Sequence, residues 1–274
     1  MKFPQLLIIS AVLIFSSCSD YEKLLKSDDF DLKSERAKAY YNEGDYAKAL
    51  PLLDQLLTVK MGSSEEEEIR YYIAYCYYGQ SQFLIASALF KNFFLSFPRS
   101  YRAEECLFQS AYSSYLASPR IDLDQSQTIK AIEDLQYFVD TYKASERVEE
   151  ANTLMDELRK KLEEKTYVGA MLYYNTENYQ AAAVTFEGLL KEFPETSRAE
   201  DIHLLIIRSY FNYAGNSTNC KRPERYEKCI SSFERFKEQY PKSEILSIAE
   251  GLKERSVDLK AKSIKENENY NCDE

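Results

Sequence analysis

The sequence predicts an all-α chain, a superhelical array of five helix–turn–helix repeats, and three observations predict it. The first is composition: 274 residues carry only seven Gly and seven Pro, while Ala, Leu, Glu and Lys are plentiful, which favours helix throughout. The second is an internal repeat. The segments starting at Gly44, Ser81, Glu177 and Glu224 superimpose without gaps. Each has an aromatic (Tyr46, Phe83, Tyr179, Tyr226), a small residue three later (Ala49, Ala86, Ala182, Cys229) and a large apolar residue four after that (Leu53, Phe90, Phe186, Phe233). A weaker fifth copy has Ala131 and Leu135, with Thr128 where the aromatic belongs. The third is punctuation: Phe97-Pro98, Phe193-Pro194 and Tyr240-Pro241 each place a proline twelve residues beyond the small position.

The pattern has a physical reading. A small residue lets the second helix of a pair approach the first closely, the aromatic before it covers the turn, and proline ends the helix because it cannot extend the hydrogen-bond ladder. Upstream, Ala37 and Tyr40, Ala74 and Tyr77, and Ala170 and Tyr173 repeat a small residue followed three later by an aromatic, the first-helix signature of tetratricopeptide (TPR) repeats. Ser64 with Glu67, and Ser197 with Glu200, have capping-box spacing. The small positions are 37, 45, 51 and 47 residues apart, longer than the ~34 of a standard repeat. The surplus falls in 118–127, in a long helical run over 145–174, and in 214–223. These boundaries predict a signal at 1–17, a tether at 18–30, repeats one to three at 31–144, repeats four and five at 145–265, and a tail at 266–274.

Stacked pairs of this kind leave an inner face lined by first helices. Tyr41, Tyr71, Tyr75, Tyr78, Tyr112 and Tyr115 fall on or near that face in the first three repeats. Some of these rings pack between helices, but six exceed what pair packing requires, which points to a groove for an extended or hairpin peptide. Tyrosine suits such a surface, joining apolar area to a hydroxyl that seeks a partner. The chain has 23 Tyr, 15 Phe and no Trp. A net charge of −10 argues against nucleic acid, which requires a basic face.

The N-terminus sets the compartment. Lys2 precedes an apolar run from Phe3 to Phe15, then Ser16, Ser17 and Cys18: a charged start, an apolar stretch and small residues at the cut, as in a secretory signal. The run is too short for a membrane span, which needs ~20 apolar residues. Phe15-Ser16-Ser17-Cys18 resembles a bacterial lipobox, which implies cleavage before Cys18, a diacylglyceryl thioether on its sulfur and a fatty acyl group such as palmitate on the new amine. Several chains at ~0.8 kcal/mol per buried CH₂ anchor stably. Ser19 stands where inner-membrane lipoproteins commonly carry Asp, so the expected location is the periplasmic face of the outer membrane.

Signal, lipid cysteine, five repeats and the stretches Ala74-Tyr75-Cys76-Tyr77-Tyr78, Tyr173-Tyr174 and Glu187 through Thr196 together resemble the BamD family, lipoproteins of the outer-membrane β-barrel assembly (BAM) machinery. The likeness covers nearly the whole mature chain, although its motifs are partly shared by TPR proteins at large. It implies a scaffold that holds a POTRA domain of a BamA-like insertase through the C-terminal repeats, around Tyr174, Asn175, Glu177 and Asn178. It also implies that the N-terminal repeats receive unfolded outer-membrane β-barrel proteins. Residues 214–223 and 265–274 depart from that pattern.

Enzymatic parts are missing from the sequence. The lone histidine, His203, lies on an apolar helix, and no HExxH, GxSxG or P-loop spacing occurs, so neither a metal, a cofactor nor a catalytic residue is expected. Cys76, Cys106 and Cys229 read as buried small residues, whereas Cys220 and Cys272 can pair in an oxidising compartment. The other reading of the repeats is a general TPR adaptor lipoprotein of the envelope, serving cell-division coordination or glycan capture; the absence of Trp platforms disfavours glycans.

Overall fold

A computed structural model describes residues 20–268 and Cys272, and all regular structure among them is helical. The signal expected at 1–17 and the lipid attachment at Cys18 lie outside the described residues. The chain divides into two compact units, one ending at Arg159 and one starting at Lys160.

The first unit holds α1 (20–26), α2 (Phe30–Asn42), α3 (Tyr46–Lys60), α4 (Glu66–Gly79), α5 (Phe83–Ser96), α6 (Ala103–Leu116), α7 (Ser126–Thr141) and the first part of α8 (Val148–Asn175). The second holds the rest of α8, then α9 (Tyr179–Glu192), α10 (Ala199–Gly215), a 3₁₀ turn at Asn219–Lys221, α11 (Arg222–Gln239) and α12 (Leu246–Asn267). The repeats are therefore α2/α3, α4/α5, α6/α7, α8/α9 and α10/α11. The five small positions, Ala49, Ala86, Ala131, Ala182 and Cys229, are all fully buried on second helices, and Ala37, Ala74, Ala111 and Ala170 are equally buried on first helices. Buried rings fill the space around them, among them Phe90, Phe93 and Phe138 in the first unit and Phe186, Phe233 and Phe236 in the second. Each contributes ~2–3 kcal/mol relative to exposure.

The turn inside a repeat is built the same way three times. Gly44, Ser81 and Glu177 adopt φ of 77°, 58° and 61°. The amides of Gly44 and Asp45 donate to the carbonyls of Tyr41 and Tyr40, those of Ser81 and Gln82 to Tyr78 and Tyr77, and those of Glu177 and Asn178 to Tyr174 and Tyr173. This is a Schellman motif, which satisfies the last carbonyls of the first helix. An edge-on aromatic pair closes each turn: Tyr41 on Tyr46 at 5.8 Å, Tyr78 on Phe83 at 5.7 Å, Tyr174 on Tyr179 at 5.6 Å. In the third repeat, where Thr128 replaces the aromatic, a polar chain does this work. Ser118 Oγ and Thr128 Oγ1 lie 2.6 Å apart, and Thr128 donates to Gln125 Oε1 at 2.7 Å.

The turn between repeats recurs five times. Ser63, Ser100, Ser145, Thr196 and Ser243 each accept, on the side-chain oxygen, the amide two residues on. Their carbonyls accept the amide three residues on, the first residue of α4, α6, α8, α10 and α12. Ahead of four of these turns the preceding helix stops before an aromatic, Phe97, Tyr142, Phe193 or Tyr240, with ψ of 58–70°. Proline after three of them excludes helical ψ at the residue before it.

One expectation is corrected. Ser64 and Ser197 make no capping box: α4 and α10 begin without a side-chain cap. Their intended partners serve the next repeat instead, Glu67 accepting the Ser100 hydroxyl at 2.6 Å and Glu200 accepting that of Ser243. Thr196 donates likewise to Glu163 at 2.6 Å. A glutamate in the first turn of a helix can cap its own start or reach sideways, and here the neighbouring turn offers a hydroxyl. In the fifth repeat Tyr226 does not open its helix, because Arg222 and Pro223 add a turn to α11 ahead of it. Within the stretch expected as a tether, residues 20–26 are helical and packed on the first repeat.

Cys220 and Cys272 form a disulfide that ties the 214–223 insertion to the tail. Cys76, Cys106 and Cys229 are free and buried, and burial raises their thiols to about 12, 12 and 11.

Two stability measurements check this register. Ala182→Phe forces a ring into the α9 packing point, and a thermal or urea melt is expected to show a loss of ~1–3 kcal/mol or more. Ser81→Gly removes the side chain from a left-handed position that glycine tolerates, and the same melt should show a gain of ~0.5–1 kcal/mol.

Candidate functional site

Of the tyrosines singled out by sequence, all six are half-buried and all lie in the first unit. Four join a continuous run of rings. Tyr41 meets Tyr72 at 4.7 Å, Tyr72 meets Tyr71 at 5.9 Å, Tyr71 meets Tyr75 at 4.7 Å, and Tyr75 meets Tyr78 at 6.3 Å. The other two form a parallel stack with Phe108: Phe108 to Tyr112 at 6.0 Å and Tyr112 to Tyr115 at 5.9 Å.

Their hydroxyls fall into two classes. Tyr71 and Tyr75 both donate to Glu105 Oε1, at 3.0 and 2.5 Å, and Tyr115 donates to Glu157 Oε2 at 2.6 Å. Burial, with the Glu105 carboxylate adding to it, raises the Tyr71 phenol to about 12 and the Tyr75 phenol higher still. The hydrogen bond to Glu157, then burial, raises Tyr115 to about 12. These groups are fixed donors already in use. The hydroxyls of Tyr41, Tyr78 and Tyr112 have no hydrogen-bond partner among the described residues. Such a surface can take apolar and aromatic side chains against its rings, and can offer a few donors to a peptide backbone.

Sequence reasoning missed Tyr72, Glu105 and Arg102. The Arg102 guanidinium lies 4.4 Å over the Tyr71 ring, and the arrangement recurs, Arg147 over Phe108 at 4.6 Å and Arg198 over Tyr167 at 4.7 Å. Each arginine directly precedes the first residue of α6, α8 or α10 and stacks on a ring of the preceding first helix, a cation–π contact. The available signal was an Arg two residues before a Glu in each case, Arg102–Glu104, Arg147–Glu149 and Arg198–Glu200, at intervals of 45 and 51.

In the second unit, Tyr174, Asn175, Glu177 and Asn178 gather at the α8–α9 turn. Tyr174 is half-buried by its contact with Tyr179, and the other three are exposed. The same helix end exposes Val168 at 53 %, Leu172 at 61 % and Tyr173 at 42 %, an apolar flank that the sequence reading did not name. His203 is stacked on Phe236 and tilted against Tyr240, each at 5.6 Å, and burial holds its imidazole below the usual range. Among the described residues no group of His, Cys, Asp or Glu could hold a metal ion. No described helix is long and apolar enough to cross a membrane.

Paired helices, recurring turns and exposed aromatic surfaces define a TPR-like helical-repeat protein. The chain belongs to the YfiO family of outer membrane lipoproteins, whose family model matches residues 33–218. Among curated proteins nothing matches the chain. Among solved structures it is similar to the TPR domain of P58(IPK), at 14 % identity and a TM-score of 0.40, over 88 % of this chain and 68 % of that one. It is also similar to the TPR2AB domain in the pHSP90 complex of yeast Sti1, at 10 % identity and a TM-score of 0.39, over 85 % and 98 %.

The double role of Glu105 can be measured. Glu105→Gln leaves the Tyr71 and Tyr75 hydroxyls with a neutral acceptor in place of a charged one. A denaturant melt should show a loss of roughly 1–2 kcal/mol, with the helical circular dichroism spectrum unchanged.

Proposed function

We propose that this protein is a lipid-anchored scaffold on the periplasmic face of the outer membrane, part of the machinery that assembles β-barrel proteins there. Its N-terminal repeats hold unfolded barrel chains and its C-terminal repeats hold the BamA-like insertase. The observation that carries this reading is the run of half-buried tyrosines in repeats of an outer membrane lipoprotein family. Barrel strands alternate apolar and polar residues and carry aromatic girdles. Rings that present a face, with hydroxyls at Tyr78 and Tyr112 that have no partner among the described residues, suit such strands. The disulfide between Cys220 and Cys272 supports an oxidising compartment. For the insertase, the exposed α8–α9 turn combines polar tips at Asn175, Glu177 and Asn178 with the apolar flank of Val168 and Leu172, a mixture typical of an interface centre and rim.

Tyr78 and Tyr112 are the residues to change, because Tyr75 is tied to Glu105 and packs edge-on to Phe90. Tyr78→Leu/Tyr112→Leu should lower photo-cross-linking to a peptide carrying a barrel C-terminal strand several-fold, while the insertase still co-purifies. Asn175→Ala/Glu177→Ala should do the reverse. Equal damage to one partner by both sets, with folding intact by circular dichroism, refutes the division of labour. Recovery of neither partner from cross-linked outer membranes leaves the general envelope adaptor as the reading.

A further inference from the structure

The first described helix begins two residues after Cys18, and it is fastened to the first repeat. An isolated helix of this length is marginal in water, so α1 depends on its docking contacts. Leu24 and Leu25 pack with Tyr21 on the core of the first repeat. The Tyr21 hydroxyl donates to the Lys48 carbonyl at 2.9 Å, and its ring meets Tyr40 edge-on at 5.8 Å.

The fastening has an unusual centre. Lys33 is only 3 % exposed, yet its ammonium meets no carboxylate among the described residues. It donates to the Leu25 carbonyl at the end of α1 at 3.1 Å and to Gln55 Oε1 at 2.6 Å, and sits 5.3 Å over the Phe30 ring. A buried ammonium needs its hydrogen bonds satisfied, and one of them exists only while α1 is in place. The positive charge also suits the carbonyl end of a helix. Undocking α1 would cost Lys33 a partner as well as exposing Leu24 and Leu25.

We propose that this segment is a rigid mount, and that the surface of the first repeat around the start of α1 rests against the lipid headgroups of the membrane carrying the anchor. The inference rests on the reading of Cys18 as the lipidated residue. Two residues of chain span at most ~7 Å, about the thickness of the headgroup layer itself. A flexible tether of a dozen residues would instead allow excursions of ~20 Å. The chain between anchor and docked helix is too short for the first repeat to swing away from the membrane surface. The occupant of this face is therefore the membrane.

The absence of tryptophan makes the test clean, since one introduced Trp is the only such fluorophore. Full-length lipidated protein is placed in vesicles of phosphatidylethanolamine and phosphatidylglycerol containing a headgroup nitroxide lipid. Glu22→Trp, on the exposed side of α1, is compared with Tyr101→Trp, at an 83 % exposed position two repeats along. Quenching is expected to be at least twofold greater at position 22. Twelve Gly/Ser residues inserted between Ser19 and Asp20, ahead of the first described helix, should bring it down to the level at 101. Lys33→Ala should speed hydrogen exchange of the α1 amides at least tenfold and leave α4–α7 unchanged. Equal quenching at the two positions, or quenching at 22 that ignores the linker, overturns the mount; unchanged α1 exchange overturns the role of Lys33. Mass spectrometry separates the underlying reading: a Cys18 without lipid removes the anchor, and the mount with it, whereas a lipidated Cys18 with equal quenching removes the mount alone.

Discussion

At Ala49, Ala86, Ala131, Ala182 and Cys229 a second helix comes so close to its neighbours that these side chains have no exposed surface. A bulkier residue would hold the helices apart. The aromatic rings would then lose the ledge they pack on, and the turn glutamates would no longer reach the hydroxyls of the next repeat. Close approach is thus the condition for everything local that follows, including the edge-on pairs Tyr41–Tyr46, Tyr78–Phe83 and Tyr174–Tyr179. The same demand appears at Gly79, where an added Cβ would lie 2.1 Å from the Tyr46 ring. Packing at crystal-like density leaves little room to adjust.

Linkage between repeats is polar and charged as well as apolar. The Ser100 hydroxyl reaches Glu67, and Thr196 reaches Glu163, while Arg102, Arg147 and Arg198 lie over rings of the preceding first helix. At the start of α4, Glu65 pairs with Lys60 and Glu68 with Lys38 of the first repeat, whereas Glu66 pairs with Arg70 inside α4 itself. Between α5, α6 and α7 the buried Asp134 carboxylate accepts from Lys91 and Ser114. Burial pushes its pKa up, but these bonds and Lys130 outweigh burial and hold it below the usual range. Repeats joined by directional contacts keep a defined register, which matters when the functional surface is assembled from several of them.

The helix pairs and their small residues were legible because they depend on local spacing, which sequence displays directly. The left-handed turn position was harder. Gly44 announces it, but Ser81 and Glu177 occupy the same conformation with side chains that give no such sign. The capping boxes were misread for a related reason: spacing shows that Glu67 and Glu200 can reach back, not that Ser100 and Ser243, 33 and 43 residues on, offer a competing hydroxyl. For the tyrosines, sequence could place rings on a face but could not tell that Glu105 had claimed two of the hydroxyls. The exposed Val168 and Leu172 were hidden by their neighbours, since an apolar pair four apart on a helix looks like core until Ala170 and Met171 are seen to turn inward.

The distribution of thiols also sets a race during biogenesis. Four cysteines after Cys18 emerge ahead of Cys272, and an oxidant could join any two exposed ones before the proper partner arrives. Helical hairpins close within microseconds, whereas disulfide exchange takes seconds or longer. Cys76, Cys106 and Cys229 are therefore withdrawn into their helix pairs well before oxidation. Among the described cysteines Cys220 alone stays outside a helix-pair core until the last helix brings Cys272 to it, so the order and speed of local folding favour the pairing the structure holds.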